Sequence, residues 1–230
     1  MMPKKIIKKR KIKLVNFLIF LIVLAVLSFC IYLLIIIKVK NIIVSGNNYI
    51  NDDTILEIAE IKDYPKFLLT SSMKVERKLL GYKYIKKVNM SKTHPFTFRI
   101  DIEEAKALFY DMNKNSYILN NDKEVKDNEV EYTFRVPRLI NYVPDKKYKK
   151  FIENMDKVNL DTISKISDIE YKPNDYDKDR FLLYMDDGNM VYLTLTKFKM
   201  INHYNEVLSE LENHKGILYL DNGNHFKIME

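Results

Sequence analysis

Cysteine is nearly missing from this chain. Cys30 is the only one, and it lies inside a long apolar run, so no intramolecular disulfide can form and the rest of the molecule must hold together by packing. Tryptophan is absent, and five glycines and six prolines among 230 residues exclude a collagen-like stalk or a low-complexity segment. The four histidines, His94, His203, His214 and His225, include no zinc-type pair and no H-E-x-x-H; His203 and His214 stand eleven apart on one predicted helix, too far to share an ion. No glycine-rich loop is present to cradle a phosphate, and Ser71-Ser72 lacks the S-x-x-K or G-x-S-x-G frame of a nucleophile and reads as a helix cap. Acidic neighbours occur at Asp52-Asp53, Glu103-Glu104 and Asp186-Asp187. Adjacent strand residues point to opposite faces, so the last two pairs do not build a two-carboxylate site, while Asp52 and Asp187 suit a cap and a turn. The expectation is a protein with no catalytic residues, no cofactor and no metal, not an enzyme.

Acidic residues are also absent from the first 40 positions, which hold nine of the 38 basic ones; the remainder carries 29 basic against 31 acidic residues, a net of −2. The formal charge of +7 is therefore local. It suits a topology signal and a contact with anionic lipid, and it argues against a nucleic-acid partner.

What is present first is an uncharged stretch from Leu14 to Ile37, interrupted only by Asn16, Ser28 and the Tyr32 hydroxyl. As a helix these residues span about 36 Å, enough to cross a hydrocarbon layer of about 30 Å with some tilt. Lys4, Lys5, Lys8, Lys9, Arg10, Lys11 and Lys13 precede it, whereas only Lys38 and Lys40 follow closely, so the N-terminus is expected inside and the remainder outside. Lys38-Val39-Lys40 offers no small-residue cleavage site, which favours a retained anchor over a signal peptide.

Beyond the anchor, Ile42-Ile43-Val44 reads as a short strand ending at Ser45-Gly46-Asn47. Asn51 or Asp52 caps a helix to about Ile61 that buries Ile55, Ile58 and Ala59. Ser71 or Ser72 opens a second helix, with Val75 and Leu79 on one face and Gly81 as its stop. A strand carrying Tyr84, Val88 and Met90 follows; after His94-Pro95, Phe96, Phe98, Ile100 and Ile102 alternate with Thr97, Arg99, Asp101 and Glu103. The order is β-α-α-β-β.

From Ala107 onward short strands are expected at Leu108 to Asp111 and Tyr117 to Asn120, then a charged loop from Lys123 to Tyr132 and an extended Val136 to Ile140. A helix from Pro144-Asp145 to about Val158 buries Tyr148, Phe151, Ile152 and Met155. Strands follow at Ile166 to Tyr171, Arg180 to Met185 and Met190 to Leu195, with Asp187-Gly188 as a hairpin turn. Thr196 caps a helix carrying Phe198, Ile201, Tyr204, Leu208 and Leu211 to about Asn213; the chain then closes on Ile217 to Leu220, a turn at Asn222-Gly223, and Phe226 to Ile228.

Several segments carry a resemblance when taken in this order. They are Val44 to Ile50; Thr93-His94-Pro95 leading to Phe98 through Glu104; Val136-Pro137-Arg138-Leu139; Tyr184 through Val191; and Lys215 through Gly223 with Phe226. With them the chain resembles the FtsQ/DivIB family of bacterial cell-division proteins, departing from it at Ala105 and Ala107, where an arginine and then a proline are frequent. The resemblance implies a single N-terminal transmembrane helix followed by α+β structure: a basic cytoplasmic tail (1–13), the span (14–37), a POTRA-like β-α-α-β-β domain (38–106) and a mixed or antiparallel β-domain with two to three helices (107–230). It further implies a single-pass scaffold of the cell membrane, enriched at the division septum. Such a scaffold binds FtsL-like and FtsB/DivIC-like partners and helps regulate the septal peptidoglycan synthase complex. A membrane-anchored extracytoplasmic enzyme and a POTRA-type envelope chaperone are the alternatives. The expected partner surface is a sheet edge at the end of the chain, formed by Gly216, Ile217, Leu218, Tyr219, Leu220 and Phe226, with help from the preceding helix.

Overall fold

A computed structural model describes residues 14–210 and 214–229. The basic tail at 1–13, and Leu211 to Asn213 at the end of the expected last helix, lie outside these residues.

Helix α1, Leu14–Ile36, has no buried residue and is apolar on every face. Among the described residues it is the one helix long and apolar enough to cross a membrane. The chain leaves it without slack: the Ile37 carbonyl accepts from the Phe67 amide at 2.8 Å, the Val39 amide donates to Pro65 O at 3.0 Å, and the Lys40 amide donates to Phe96 O at 2.9 Å.

A three-stranded sheet follows, with strands β1 (Asn41–Ser45), β2 (Ile85–Thr93) and β3 (Thr97–Glu104) in the order β1-β3-β2. β1 runs parallel to β3 and β2 antiparallel to it. Helices α2 (Asp52–Ile58) and α3 (Ser72–Gly81) bring Ile55, Val75 and Leu79 into one core with Met90, Phe98, Ile100 and Ile102. This is the expected β-α-α-β-β order. Asn51 is the N-cap of α2, its side chain accepting from the Thr54 amide at 2.7 Å. Gly81, expected as a C-cap, is the last residue of α3 and Tyr82 the cap. α2 ends at the cap Ala59, and the next residue, Glu60, turns the chain at φ 55°.

Glycine is required at Gly46, where φ is +84° and a Cβ would run into the Ile102 carbonyl. The turn it opens is held by the last strand of the sheet: Glu104 Oε1 accepts the amides of Asn48 (2.9 Å), Tyr49 (3.0 Å) and Ile50 (2.8 Å). The adjacent Glu103 points the other way, to Lys87 at 2.7 Å.

A nine-stranded mixed sheet forms the rest. Its strands are β4 (Ala107–Asp111), β5 (Ser116–Leu119), β6 (Glu124–Lys126), β7 (Arg138–Leu139), β8 (Ile166–Tyr171), β9 (Arg180–Met185), β10 (Met190–Thr194), β11 (Gly216–Tyr219) and β12 (His225–Ile228), in the order β12-β11-β10-β9-β8-β7-β4-β5-β6. Helix α4 (Asp145–Met155) lays Phe151 and Met155 on its inner face, where Phe151 stacks on Phe181 at 4.9 Å and meets Phe109 and Phe198. The short α5 (Leu160–Ile163) follows.

Two expectations are corrected. Lys123 to Tyr132 is not wholly loop: β6 forms there because Val125, fully buried, pins a charged segment into the first core. The helix expected from Thr196 begins as a 3₁₀ segment, Leu195–His203, and becomes α-helical only at α6 (Tyr204–Glu210). Leu195, Phe198, Ile201 and Tyr204 are all buried and recur at a strict interval of three, which matches the 3₁₀ repeat and not the α repeat. His214 lies outside α6, in irregular chain before β11, so it does not share a helix with His203.

Candidate partner-binding interface

The six residues singled out in the sequence come together on the β11–β12 hairpin, but they are not equivalent. β11 is interior, paired in parallel with β10 (Val191↔Leu218, Tyr192↔Tyr219) and antiparallel with β12 (Leu218↔Phe226, Tyr219↔His225). The expectation that Ile217 to Leu220 form the open border is therefore corrected: the border is β12. The Asn222-Gly223 turn already carried this information, because a two-strand return folds the last segment back over the one before it. Gly223 sits at φ +84° in that turn.

Gly216 is buried, and a Cβ there would meet the Lys227 carbonyl and the Phe226 ring. Its amide donates to Asn189 Oδ1 at 2.8 Å. Asn189, 1% exposed, also donates to Asp187 Oδ2 at 3.0 Å and to the Tyr204 hydroxyl at 3.0 Å, while Tyr204 donates to Asp187 Oδ2 at 2.8 Å. Burial works to raise the Asp187 carboxyl, but the hydrogen bonds from the Asn189 amides and Tyr204 outweigh it and hold the carboxyl below its usual range. Burial and the Asp187 bond push the Tyr204 hydroxyl well above the usual tyrosine value. This network fixes the start of β11 to the β9–β10 turn and to the head of α6. At the far end, Lys197 Nζ donates to the carbonyls of Leu220 (3.0 Å) and Asp221 (3.1 Å).

Leu218 and Leu220 face the core. Ile217 and Tyr219 face the other way and are half-buried. There Tyr219 is sandwiched between Tyr192 (5.3 Å, 20°) and His225 (4.6 Å, 9°), and the Arg180 guanidinium lies 3.6 Å over the Tyr192 ring. Arg180 is itself held by Asp221 at 2.6 Å. This four-strand stack was not legible in the sequence, because its members lie up to 45 positions apart.

The Met229 amide donates inward to Lys215 O at 2.9 Å. By the two-residue alternation of an antiparallel ladder, His225 and Lys227 also pair inward, and the N–H and C=O of Phe226 and Ile228 point away from the sheet. Ile228 is 54% exposed and Met229 36%. Behind this border a mainly apolar groove of about 310 Å³ is lined by Met200, Tyr204, Val207, Leu218, Leu220 and Phe226 together with the polar His203, Glu210, Asn224 and His225. Two of the three other sheet edges, β6 and β2, are better guarded, whereas β1 is an uncharged edge paired on one side only. β6 is three residues long with charges at both ends, and on β2 the Met90 amide is taken by Glu76 Oε1 at 2.8 Å. Among the described residues no three His, Cys, Asp or Glu side chains converge as a metal-ligand set.

Residues 37–105 match the POTRA domain family of FtsQ type. The chain is similar to the cell division protein DivIB of Bacillus subtilis strain 168, with 32% identity over 195 residues covering 83% of this chain and 74% of that one. It is similar to DivIB of Geobacillus kaustophilus, with 26% identity over 193 residues covering 82% and 74%. A solved structure of the major extracytoplasmic domain of the trans isomer of DivIB from Geobacillus stearothermophilus aligns over 48% of this chain and 96% of its own, with a TM-score of 0.39 and 21% identity. The chain belongs to the FtsQ/DivIB family of bacterial cell-division proteins.

Proposed function

We propose that this division protein is a bitopic scaffold whose body, outside the cytoplasmic membrane at the division septum, captures extended segments of FtsL-like and FtsB/DivIC-like partners and so helps regulate the septal peptidoglycan synthase complex. The basic tail stays in the cytoplasm, α1 spans the bilayer, and the body divides into a POTRA-like domain at 38–106 and a β-domain at 107–230. The observation that carries this reading is the open border at β12, with the backbone groups of Phe226 and Ile228 directed outward beside a mainly apolar groove. A partner strand can complete those hydrogen bonds while its alternate side chains fill the groove on one face and meet the Tyr219 stack on the other. Of the six residues proposed as the partner surface, Ile217, Tyr219 and Phe226 offer side chains to a partner. Leu218 and Leu220 line the groove, and Gly216 shapes the hairpin.

Co-purification of full-length protein from membranes tests the proposal. Wild type is expected to bring down small bitopic coiled-coil proteins, and a folded Tyr219→Glu variant to lose them. Undiminished capture by that variant, or unchanged cell length on depletion of the protein, would count against it.

A further inference from the structure

Three segments meet where the chain leaves α1: 37–40, the loop 64–74 and the turn 91–96, joined by the Val39–Pro65, Phe67–Ile37 and Lys40–Phe96 backbone bonds. The loop is shaped to push apolar groups outward. The Phe67 ring is buried against Phe98 (5.6 Å, stacked) and Phe96 (5.5 Å, edge-on). Lys92 Nζ donates to Phe67 O at 2.8 Å, and the Thr70 hydroxyl closes the turn on Lys66 O at 2.8 Å. With Phe67 anchored inward, Leu68 is left 51% exposed, Leu69 61%, and Met73, on the first turn of α3, 67%. Tyr64 on the other flank is 42% exposed.

The charge around this patch is mainly basic, with Asp63 beside Tyr64, and Glu60, paired with Lys78, on the Leu69 side. The three segments carry Lys38, Lys40, Lys66, Lys74 and Lys92 and contain no acidic residue. Elsewhere the region after position 40 is slightly acidic, so this clustering is local. Leu68 comes one residue after the amide that bonds Ile37, and Ile37 directly follows α1, so a membrane crossed by α1 reaches this loop first. Exposed leucines and a tyrosine there, with lysines outnumbering the acidic Asp63 and Glu60 at the border, have the composition of an interfacial anchor.

We propose that the Tyr64–Leu69 loop, with Met73, seats in the headgroup boundary of the bilayer that α1 crosses, and that Lys38, Lys40, Lys66 and Lys74 contact anionic lipid phosphates. The loop would then fix the height and tilt of the first sheet over the membrane. The inference rests on the reading of α1 as a span.

The absence of tryptophan from the chain provides a clean probe. Single variants Leu69→Trp, Leu24→Trp in mid-α1 and Tyr176→Trp in the fully exposed β8–β9 loop are reconstituted as full chains in phosphatidylcholine–phosphatidylglycerol bilayers. The bilayers are made with and without bromine on the acyl chains. The expected result is a blue-shifted, bromine-quenched emission at Leu69→Trp and Leu24→Trp, none at Tyr176→Trp, and weaker quenching at Leu69→Trp in bilayers of phosphatidylcholine alone. Water-like, unquenched emission at Leu69→Trp beside a quenched Leu24→Trp would overturn the inference and leave the span intact. Failure of quenching at both positions would remove the span and the inference together, and a blue shift at Leu69→Trp that required an added partner protein would assign the patch to that partner.

Discussion

Replacing Ile228 by proline separates the open border from the hairpin that carries it. The Ile228 N–H points away from β11, so proline removes no bond inside the sheet, and proline is tolerated on an edge strand in that orientation. What it removes is one donor to an incoming strand, worth about 0.5–1.5 kcal/mol net. It also trims a side chain that is 54% exposed and available to a partner. Together these amount to about 1–3 kcal/mol, or about 5- to 150-fold in Kd. Lys227→Pro is the matched control: its N–H pairs with β11, so it should damage the hairpin itself. The assay is affinity of the full-length protein in nanodiscs for a reconstituted FtsL-like and DivIC-like complex, with Tm measured on the same samples. Ile228→Pro should lose affinity at unchanged Tm, and Lys227→Pro should lose both. Wild-type affinity for a folded Ile228→Pro would refute strand addition at β12.

Three further outcomes follow from the packing. Glu104→Ala strips the acceptor from three consecutive amides and should lower stability by about 1–2 kcal/mol, read as a Tm fall of several degrees. Gly216→Ala forces a Cβ against the Lys227 carbonyl and the Phe226 ring, and should cost about 1–3 kcal/mol while moving the near-ultraviolet signal of the Tyr219 stack. Burial acts to raise the Asp156 carboxyl, but hydrogen bonds from Asn120, Lys106 and Lys86 outweigh it and hold the carboxyl below its usual range. Its contribution is therefore complete above the unfolded-state value near 4 and is lost as pH falls through the lower folded value. The stability difference between wild type and Asp156→Ala, about 1 kcal/mol after solvent screening and read as a Tm gap, should be largest at neutral pH and narrow in acid.

The elements legible in the sequence are those with a local signature. The uncharged run gave α1, and Asp187-Gly188 gave the β9–β10 hairpin, with Gly188 at φ +91°; alternation gave β3 from Phe98 to Ile102, but Phe96, read as its first inward residue, lies in the preceding turn at φ 47° and Thr97, read as wet, is buried. Illegible were features decided at long range or by one residue. Val125, buried in a core built mainly from residues 39–107, and pairing with β5 make β6 out of a charged connector. The interval of three from Leu195 to Tyr204 was visible, but it fits an α-helix loosely enough to hide the 3₁₀ turn. At the candidate interface the hairpin residues were legible, and so was the border strand, because a return at Asn222-Gly223 lays the last segment outside Ile217 to Leu220.

The core of the first sheet does not stop where its last strand does. Leu119 and Val125 belong to it, and Val130, Tyr132 and Phe134 pack onto it, although all five come from the chain beyond Ala107. Bending the molecule at Ala105 would peel these side chains into water, so the two halves behave less like beads on a string than like one keel. Whatever tips the half that follows α1 must swing the β12 border with it.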